Sequence, residues 1–169
     1  MAMAQRWEIA LREHTEILSA YITRVRAMSD EQWRAHIPGR TWSPAVETMH
    51  LIKAYELPLN GTGMRLRVSP SYAWVLRNVY LRWLIARGTF HRGARAPSEV
   101  RPDEEAALAV SQAVLIDRLE STSSAAVETL RAAAQTRPDF RMIHAYFGPM
   151  APLLSLRMLS AHTRHHLGQ

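Results

Sequence analysis

Apolar residues recur at intervals of three and four along four long segments of the chain, which is the spacing of one face of an α-helix. The first segment covers residues 4–28. The second begins where Ser43, a favourable N-cap, precedes Pro44 at the first helical position. Residues 103–134 and the run that begins near Pro152 complete the set. The apolar stripe of the first segment consists of Trp7, Leu11, His14, Leu18, Tyr21, Val25 and Met28.

These segments predict an all-α protein, a four-helix bundle with an insertion between its second and third helices. The insertion contains a Trp- and Tyr-rich helix over residues 70–87 and a loop over residues 88–102. Residues 64–68 alternate like a short strand, but one such stretch builds no sheet. We expect a single domain over residues 1–169. Four side chains are predicted to be largely buried: Trp7, Leu11, Leu18 and Leu115.

The composition is that of a globular protein, with 47% hydrophobic and 21% charged residues. The chain contains no cysteine, which excludes disulfides, thiolate metal ligands and cysteine nucleophiles. The first residues lack the apolar segment of a signal peptide, and no run approaches the ~18 apolar residues of a membrane span. We therefore expect a cytoplasmic protein without a membrane partner.

The net charge of +6 is concentrated in one part of the chain. Between Arg65 and Arg101, eight arginines stand against one acidic residue, Glu99, which gives a local charge of +7. Arginines interleaved with aromatic residues can bind nucleic acid, but these are dispersed, no helix-turn-helix pattern is evident, and the aromatic residues suit helix packing equally well. The sequence therefore argues against a nucleic-acid partner. We expect Arg77 to Arg95 beside the mouth of a site, attracting an anionic substrate; the alternative is a solvated face or a dimer rim.

The strongest chemical signal is a group of histidines in the last helix. His162 and His166 stand four residues apart on one helix face, with His165 beside them. Imidazoles at this spacing can bind one transition-metal ion, although histidines at a helix C-terminus can also simply complement the helix dipole. His50 lies about two turns into the second helix, on its buried side, and could complete a three-imidazole site. His14 is expected in the core or near the cavity, without binding metal.

Two segments in this order resemble the DinB/YfiT-like superfamily. They are Trp42-Ser43-Pro44-Ala45-Val46-Glu47-Thr48-Met49-His50-Leu51 and the closing His162-Thr163-Arg164-His165-His166-Leu167-Gly168-Gln169. The segment Tyr146-Phe147-Gly148-Pro149-Met150 is similar to the family's link into its last helix. The resemblance implies that His50, His162 and His166 hold a divalent transition metal (Zn, Ni or Fe) at one end of the bundle. His165 matches a variable position and is expected to point away.

Three imidazole ligands would leave coordination positions open, as catalytic sites do, and an open metal activates water or a thiol. The superfamily includes thiol S-transferases and a thiol-dependent maleylpyruvate isomerase. The resemblance thus implies a metal-dependent transferase or hydrolase that activates a small thiol or water, and a homodimer; the anionic substrate is suggested by the basic segment alone. The alternative is a stress-response or binding bundle whose metal site is structural or empty. Glu47, one turn before His50, and Gln169, three residues after His166, are candidates to orient the ligating imidazoles.

Overall fold

The computed structural model describes residues 2–61, 63–88, 90 and 96–168. Helix makes up 71% of the structure, and the sheet in this part of the chain has two strands, so the predicted all-α class is confirmed. Among these residues no helix combines the length and the apolar character needed to cross a bilayer. The elements are α1 (Met3–Arg26), α2 (Asp30–Arg34), α3 (Pro44–Leu59), α4 (Pro70–Val75), a π-helical turn (Leu76–Tyr80), α5 (Leu81–Arg87), a 3-10 turn (Ser98–Val100), α6 (Glu104–Ala109), α7 (Gln112–Thr136), β1 (Met142–His144), β2 (Gly148–Met150) and α8 (Pro152–Leu167).

The bundle consists of α1, α3, α7 and α8. α3 packs along α7, α1 packs along α8, and α7 also contacts α1 and α8. Two buried hydroxyl pairs connect α3 to its neighbours: Tyr21 Oη lies 2.9 Å from Thr48 Oγ1, and Tyr55 Oη lies 2.8 Å from Thr163 Oγ1. Because a buried hydroxyl without a partner is destabilising, these pairs favour one relative placement of α1, α3 and α8.

α3 is enclosed by the other helices on nearly all sides. Ser43 caps its N-terminus, where the serine oxygen accepts a hydrogen bond from the Val46 amide (3.5 Å). Every residue from Pro44 to Pro58 is buried except Lys53 and Glu56. The helix therefore passes through the interior, and the polar side chains on its buried turns are sheltered from solvent.

The insertion after α3 contains the helix predicted over residues 70–87, with the π-helical turn joining α4 to α5. In the described part of the predicted loop over residues 88–102, the 3-10 turn before α6 is the regular element. Arg92 and Arg95, which belong to the range expected beside the site, and Gln169, a candidate to orient a ligating imidazole, lie outside the described residues.

A β-hairpin leads into α8, with Met142 of β1 opposite Met150 of β2. The stretch predicted to alternate like a strand lies against this hairpin. The Met64 amide donates to the Ile143 carbonyl (2.7 Å), and the amide of Arg67 donates to the Ala145 carbonyl (2.8 Å). These bonds bring the start of the insertion to the end of the bundle where α8 carries its histidines.

The prediction of one helix over residues 103–134 was wrong. α6 ends at Ala109, and Val110 has an extended backbone with ψ 142°. Ser111 then caps α7, accepting a hydrogen bond from the Val114 amide (3.4 Å). A serine at this position competes with helix continuation because its side chain satisfies the first amides of a new helix. The break lets α6 pack against α3.

The buried face of α1 includes residues beside the predicted stripe as well as most of the stripe itself. Trp7 is buried as predicted, but Leu11 and Leu18 are only half-buried, while Ala10 and Ile17 are enclosed. α1 contacts both α7 and α8, so its buried face is wider than one row of large apolar residues. Leu115 of α7 is buried as predicted.

Candidate metal centre

His50 on α3 meets His162 and His166 on α8. The Nε2 atom of His162 lies 3.0 Å from Nε2 of His50 and 3.2 Å from Nε2 of His166. One ring nitrogen of each residue lies within 4.8 Å of the other two. The structure thus brings together the three histidines that the sequence singled out, and the group could hold a metal ion.

The two separations from His162 Nε2 match those of ligands that share one ion. With zinc–nitrogen bonds of ~2.0–2.1 Å, two ligand nitrogens lie roughly 3.3 Å apart in a tetrahedral site and roughly 2.9 Å apart at right angles. The observed 3.0 and 3.2 Å fall between these values. Imidazole nitrogen is also a ligand that zinc, nickel and iron all accept. The residues present therefore fit a divalent transition metal.

A backbone hydrogen bond fixes the orientation of the His50 ring. Its Nδ1 lies 2.7 Å from the carbonyl oxygen of Val100. A carbonyl only accepts, so Nδ1 carries the proton and donates, and Nε2 of the neutral ring offers a lone pair toward His162. Ligating histidines are usually held in this way through their other ring nitrogen. The 3-10 turn that ends at Val100 therefore sets the position of one candidate ligand.

Burial keeps two of these imidazoles, His50 and His162, in the neutral form that binds metal. His50 and His166 are 4% and 5% exposed. Burial, together with the positive charge that His166 would carry, lowers the pKa of His50 to about 3. Burial is also the main reason why the pKa of His162 lies well below its ordinary value, and the neighbouring His50 and His166 lower it further. At neutral pH the two rings are therefore available as electron-pair donors.

A buried ion pair stands behind His166. Oε1 of the Glu47 carboxylate lies 3.9 Å from Nδ1 of His166. Its other oxygen, Oε2, lies 3.4 Å from Nη1 of Arg40. The first distance exceeds a hydrogen bond, so Glu47 acts on His166 through charge. Burial raises the pKa of Glu47 to about 7, although Arg40 and Arg24 act in the opposite direction. The 3.9 Å distance places Glu47 close to a candidate ligand, where the sequence predicted it.

Arg24 of α1 holds the end of α8 that carries His166. Its Nη1 donates to the backbone carbonyls of His166 (3.2 Å) and Leu167 (2.5 Å). These carbonyls are among the last of the helix and have no partner within it. The positive charge also complements the negative end of the helix dipole. The α1–α8 contact thereby fixes the turn from which the histidine projects.

The three histidines line a pocket of about 780 Å³. Small-molecule sites typically measure ~300–1,000 Å³ and combine apolar walls with a few polar groups. Polar residues at the pocket wall besides the three histidines include Glu47, Arg101, Glu104, His144 and Tyr146. Much of the remaining wall is apolar and includes Leu57, Met64, Leu76, Phe90, Phe147 and Met158.

The neighbouring histidines take other positions. The expectation that His165 points away was wrong, because it lines the pocket and its Nδ1 accepts a hydrogen bond from the Phe90 amide (3.3 Å). His14 lies in the core as predicted, with Nε2 3.0 Å from Ser123 Oγ and Nδ1 3.3 Å from Ser160 Oγ.

His144 is a pocket residue that sequence reasoning missed. In the sequence, the neighbouring residues 146–150 were singled out for their family resemblance, but His144 was not. His144 has no helical spacing relative to the other histidines that could have identified it. A β-hairpin, not a helix, brings it to the pocket.

The basic segment lines the pocket mainly with uncharged residues. Arg101 is the only described arginine of this segment at the pocket wall. Arg77 donates instead to the Pro149 carbonyl (2.8 Å), and the Arg87 guanidinium lies 5.0 Å from the centre of the Trp83 ring. None of the described arginines in the predicted range Arg77 to Arg95 lines the pocket, and Arg101, which does, lies outside that range.

Comparison with known proteins supports the resemblance inferred from the sequence. The profile of the DinB superfamily matches residues 11–169, a range that contains all three histidines of the candidate centre. Searches of curated proteins and of solved structures returned no significant match. A family match over nearly the whole chain is decisive for membership. The chain belongs to the DinB superfamily.

Proposed function

We propose that the protein is a metal-dependent enzyme in which His50, His162 and His166 bind one divalent transition ion: zinc, nickel or iron. The observation that carries the proposal is the convergence of three imidazole nitrogens at the wall of a pocket of about 780 Å³. Superfamily membership supports it, because the matched range includes all three residues.

The number of ligands favours catalysis over a purely structural metal. Structural zinc sites are typically closed by four protein ligands, whereas catalytic sites have three and leave a position for water or substrate. Among the described residues, the metal-binding group has three members, and the chain contains no cysteine that could be a fourth. The adjoining pocket gives a small molecule access to that position. These features weigh against the alternative of a stress-response or binding bundle with a structural or empty site.

The reaction class follows from this arrangement. A divalent ion held by three imidazoles lowers the pKa of a coordinated water or thiol, or polarises a carbonyl. The Val100 carbonyl keeps His50 in the tautomer that offers Nε2, and the Glu47 charge favours electron donation by His166. The apolar walls exclude bulk water from a bound substrate. Transfer to or from a small thiol, or hydrolysis, is the chemistry that these groups support.

Reconstitution with metal tests the proposal. The protein is stripped with a chelator, reloaded separately with zinc, nickel or ferrous iron, and assayed for conjugation of cysteine to an aromatic electrophile and for hydrolysis of an aryl ester. We expect turnover in at least one assay that requires metal, is lost in His162→Ala and is retained in His36→Ala, an exposed control. Turnover that survives metal removal would contradict the proposal. Stoichiometric metal binding without turnover in either assay would support the binding-bundle alternative.

A cytoplasmic location and a homodimer are further parts of the proposal. The absence of cysteine means that no disulfide is needed for folding. The homodimer rests on the family resemblance, and sedimentation equilibrium of the purified protein over a range of concentrations tests it.

A further inference from the structure

His144, at the end of β1, lines the same pocket as the candidate metal ligands. The hairpin determines which of its ring nitrogens carries the proton. Nδ1 lies 3.2 Å from the amide nitrogen of Tyr146 and 3.3 Å from that of Phe147. Backbone amides only donate, so Nδ1 must accept, and the proton of the neutral ring is on Nε2. The ring also stacks on Phe147, with centroids 4.5 Å apart and planes 21° apart, which restricts its rotation.

The ring is a hydrogen-bond donor without charge at neutral pH. Burial lowers the pKa of His144 to about 4. Nε2 lies on the side of the ring opposite to the turn that holds Nδ1. Within the described part of the chain, Nε2 has no hydrogen-bond partner. His144 is partly buried and its Nε2 is not among the fully enclosed polar atoms, so water can reach this N–H in the pocket, and a bound acceptor oxygen would take the place of that water.

The surroundings of His144 define what kind of molecule would supply this acceptor. His144 is close enough to His162 for its protonated form to lower the pKa of His162. Phe147 contacts the ring, and the same pocket has further apolar residues in its wall, among them Met64 and Phe90. A ligand that reaches both the donor and the three-histidine centre must therefore carry its polar atoms close together and an apolar body beside them.

We propose that the pocket takes a small molecule with an apolar body whose carbonyl or carboxylate oxygen accepts a hydrogen bond from His144 Nε2, beside His50, His162 and His166. His144 is then a specificity-determining residue for that oxygen. This inference rests on the proposed function, since it assigns a substrate class to the same pocket. The hydrogen bond from His144 Nε2 does not involve the metal, so it should also form in the metal-free protein.

The test measures binding of three probes that share one apolar body: phenylacetate, phenylacetamide and n-propylbenzene. The first two carry an acceptor oxygen, charged or neutral, and the third carries none. Binding is followed by NMR titration of the metal-stripped and the zinc-loaded protein. His144→Asn is the informative variant, because the shorter amide can still accept from the turn but cannot reach the pocket with a donor. His36→Asn, at an exposed position, is the matched control.

We expect His144→Asn to bind phenylacetamide about fivefold more weakly and phenylacetate more than about tenfold more weakly than the wild type, with propylbenzene unchanged. The control should match the wild type. The His144 Nε2–H resonance of the wild type should move downfield as either oxygen-bearing probe saturates, which tests the contact even if the variant folds poorly. A larger effect on phenylacetate identifies a carboxylate as the group recognised, and equal effects identify a carbonyl.

Equal affinities in wild type and His144→Asn, an unmoved Nε2–H resonance at saturation, or no binding of either oxygen-bearing probe would each overturn the inference. The proposed function fails separately. If the probes bind through His144 but the wild type takes up no metal, the recognition of the oxygen stands and the metal-dependent chemistry does not.

Discussion

His14 and His50 are both buried imidazoles on bundle helices, yet their contacts give them different uses. Both ring nitrogens of His14 lie near serine hydroxyls, which can satisfy a donor and an acceptor together. His50 donates through Nδ1 to a carbonyl and directs Nε2 at another imidazole nitrogen. The first arrangement completes a hydrogen-bonded core, and the second leaves a lone pair where a cation can bind.

The burial of His14 predicts a dependence of stability on pH. Burial lowers its pKa from 6.5 to about 4, so between these values the unfolded chain binds a proton that the folded chain does not. The unfolding free energy is therefore highest above pH 6.5 and falls as the pH drops toward 4, by up to about 3 kcal/mol from this residue. Denaturant titrations of the metal-free protein at pH 7, 5.5 and 4.5 measure it.

The matched variants for this prediction are His14→Gln and His36→Gln, the second at an exposed site. The loss of stability between pH 7 and 4.5 should be smaller in His14→Gln than in the wild type and unchanged in His36→Gln. The same pH slope in all three proteins would mean that His14 titrates normally in the folded state.

Glu47 supports a prediction about metal affinity. Glu47→Gln removes the negative charge 3.9 Å from His166 Nδ1 and should weaken zinc binding by roughly 10- to 100-fold. Glu56→Gln is the control, because Glu56 lies on the same helix but pairs with Arg118 at the surface. Competition with a chromophoric chelator measures both affinities, and circular dichroism confirms folding. Equal zinc affinity in the two variants would remove Glu47 from the site.

Individual elements show where sequence patterns are sufficient and where they are not. The start of α3 was predicted to the residue, because Ser43 and Pro44 encode it through local chemistry. The break before Ser111 was missed, since serine also occurs inside helices and only the packing of α6 on α3 decides. The full width of the buried face of α1 was missed for a similar reason, because it depends on two neighbouring helices.

Two glycines that flank the start of the insertion give a paired prediction. Gly61 and Gly63 both have left-handed backbones, with φ of +72° and +70°. A Cβ on Gly61 would meet nothing within 4 Å, whereas one on Gly63 would lie 2.4 Å from the carbonyl oxygen of Ile143. Gly61→Ala should cost only the backbone strain, ~1–2 kcal/mol.

Gly63→Ala should cost roughly 3 kcal/mol or more, because the hairpin backbone must also move. Denaturant unfolding measures both values. The substitution at Gly63 should also perturb the pocket, since the adjacent Met64 forms part of its wall. Similar losses of stability in the two variants would show that the chain does not pack against the hairpin as described.

At the scale of the whole molecule, the candidate site is assembled from parts distant in the sequence. α3 and α8 supply the histidines, while the insertion and the hairpin close the pocket around them. The ligand set was predictable, because helical spacing and the family resemblance place it without knowledge of loops. His144 and the Val100 carbonyl were not predictable from the sequence. A hairpin and a 3-10 turn position them, and such turns leave no periodic pattern in the sequence.

Metal binding should stabilise the whole bundle. A ligand at 100 times its dissociation constant stabilises the folded state by about 2.7 kcal/mol, which corresponds to a rise of ~5–10 °C in the melting temperature for a chain of this size. Thermal melts of the stripped protein with and without zinc measure the shift. His162→Ala should fold but show no rise, because the apolar core does not depend on that side chain. A rise of the same size in this variant would place the ion elsewhere.

The proposal that His50, His162 and His166 bind one ion is tested by the zinc stoichiometry and the zinc affinity of the purified protein, both measured by chelator competition. The variants are His50→Ala, His162→Ala and His166→Ala, with His36→Ala and His165→Ala as controls. We expect one tightly bound ion per wild-type chain, loss of tight binding in each of the first three variants, and retention of tight binding in both controls. A wild type that binds no zinc, or full occupancy in His50→Ala, His162→Ala or His166→Ala, would contradict it.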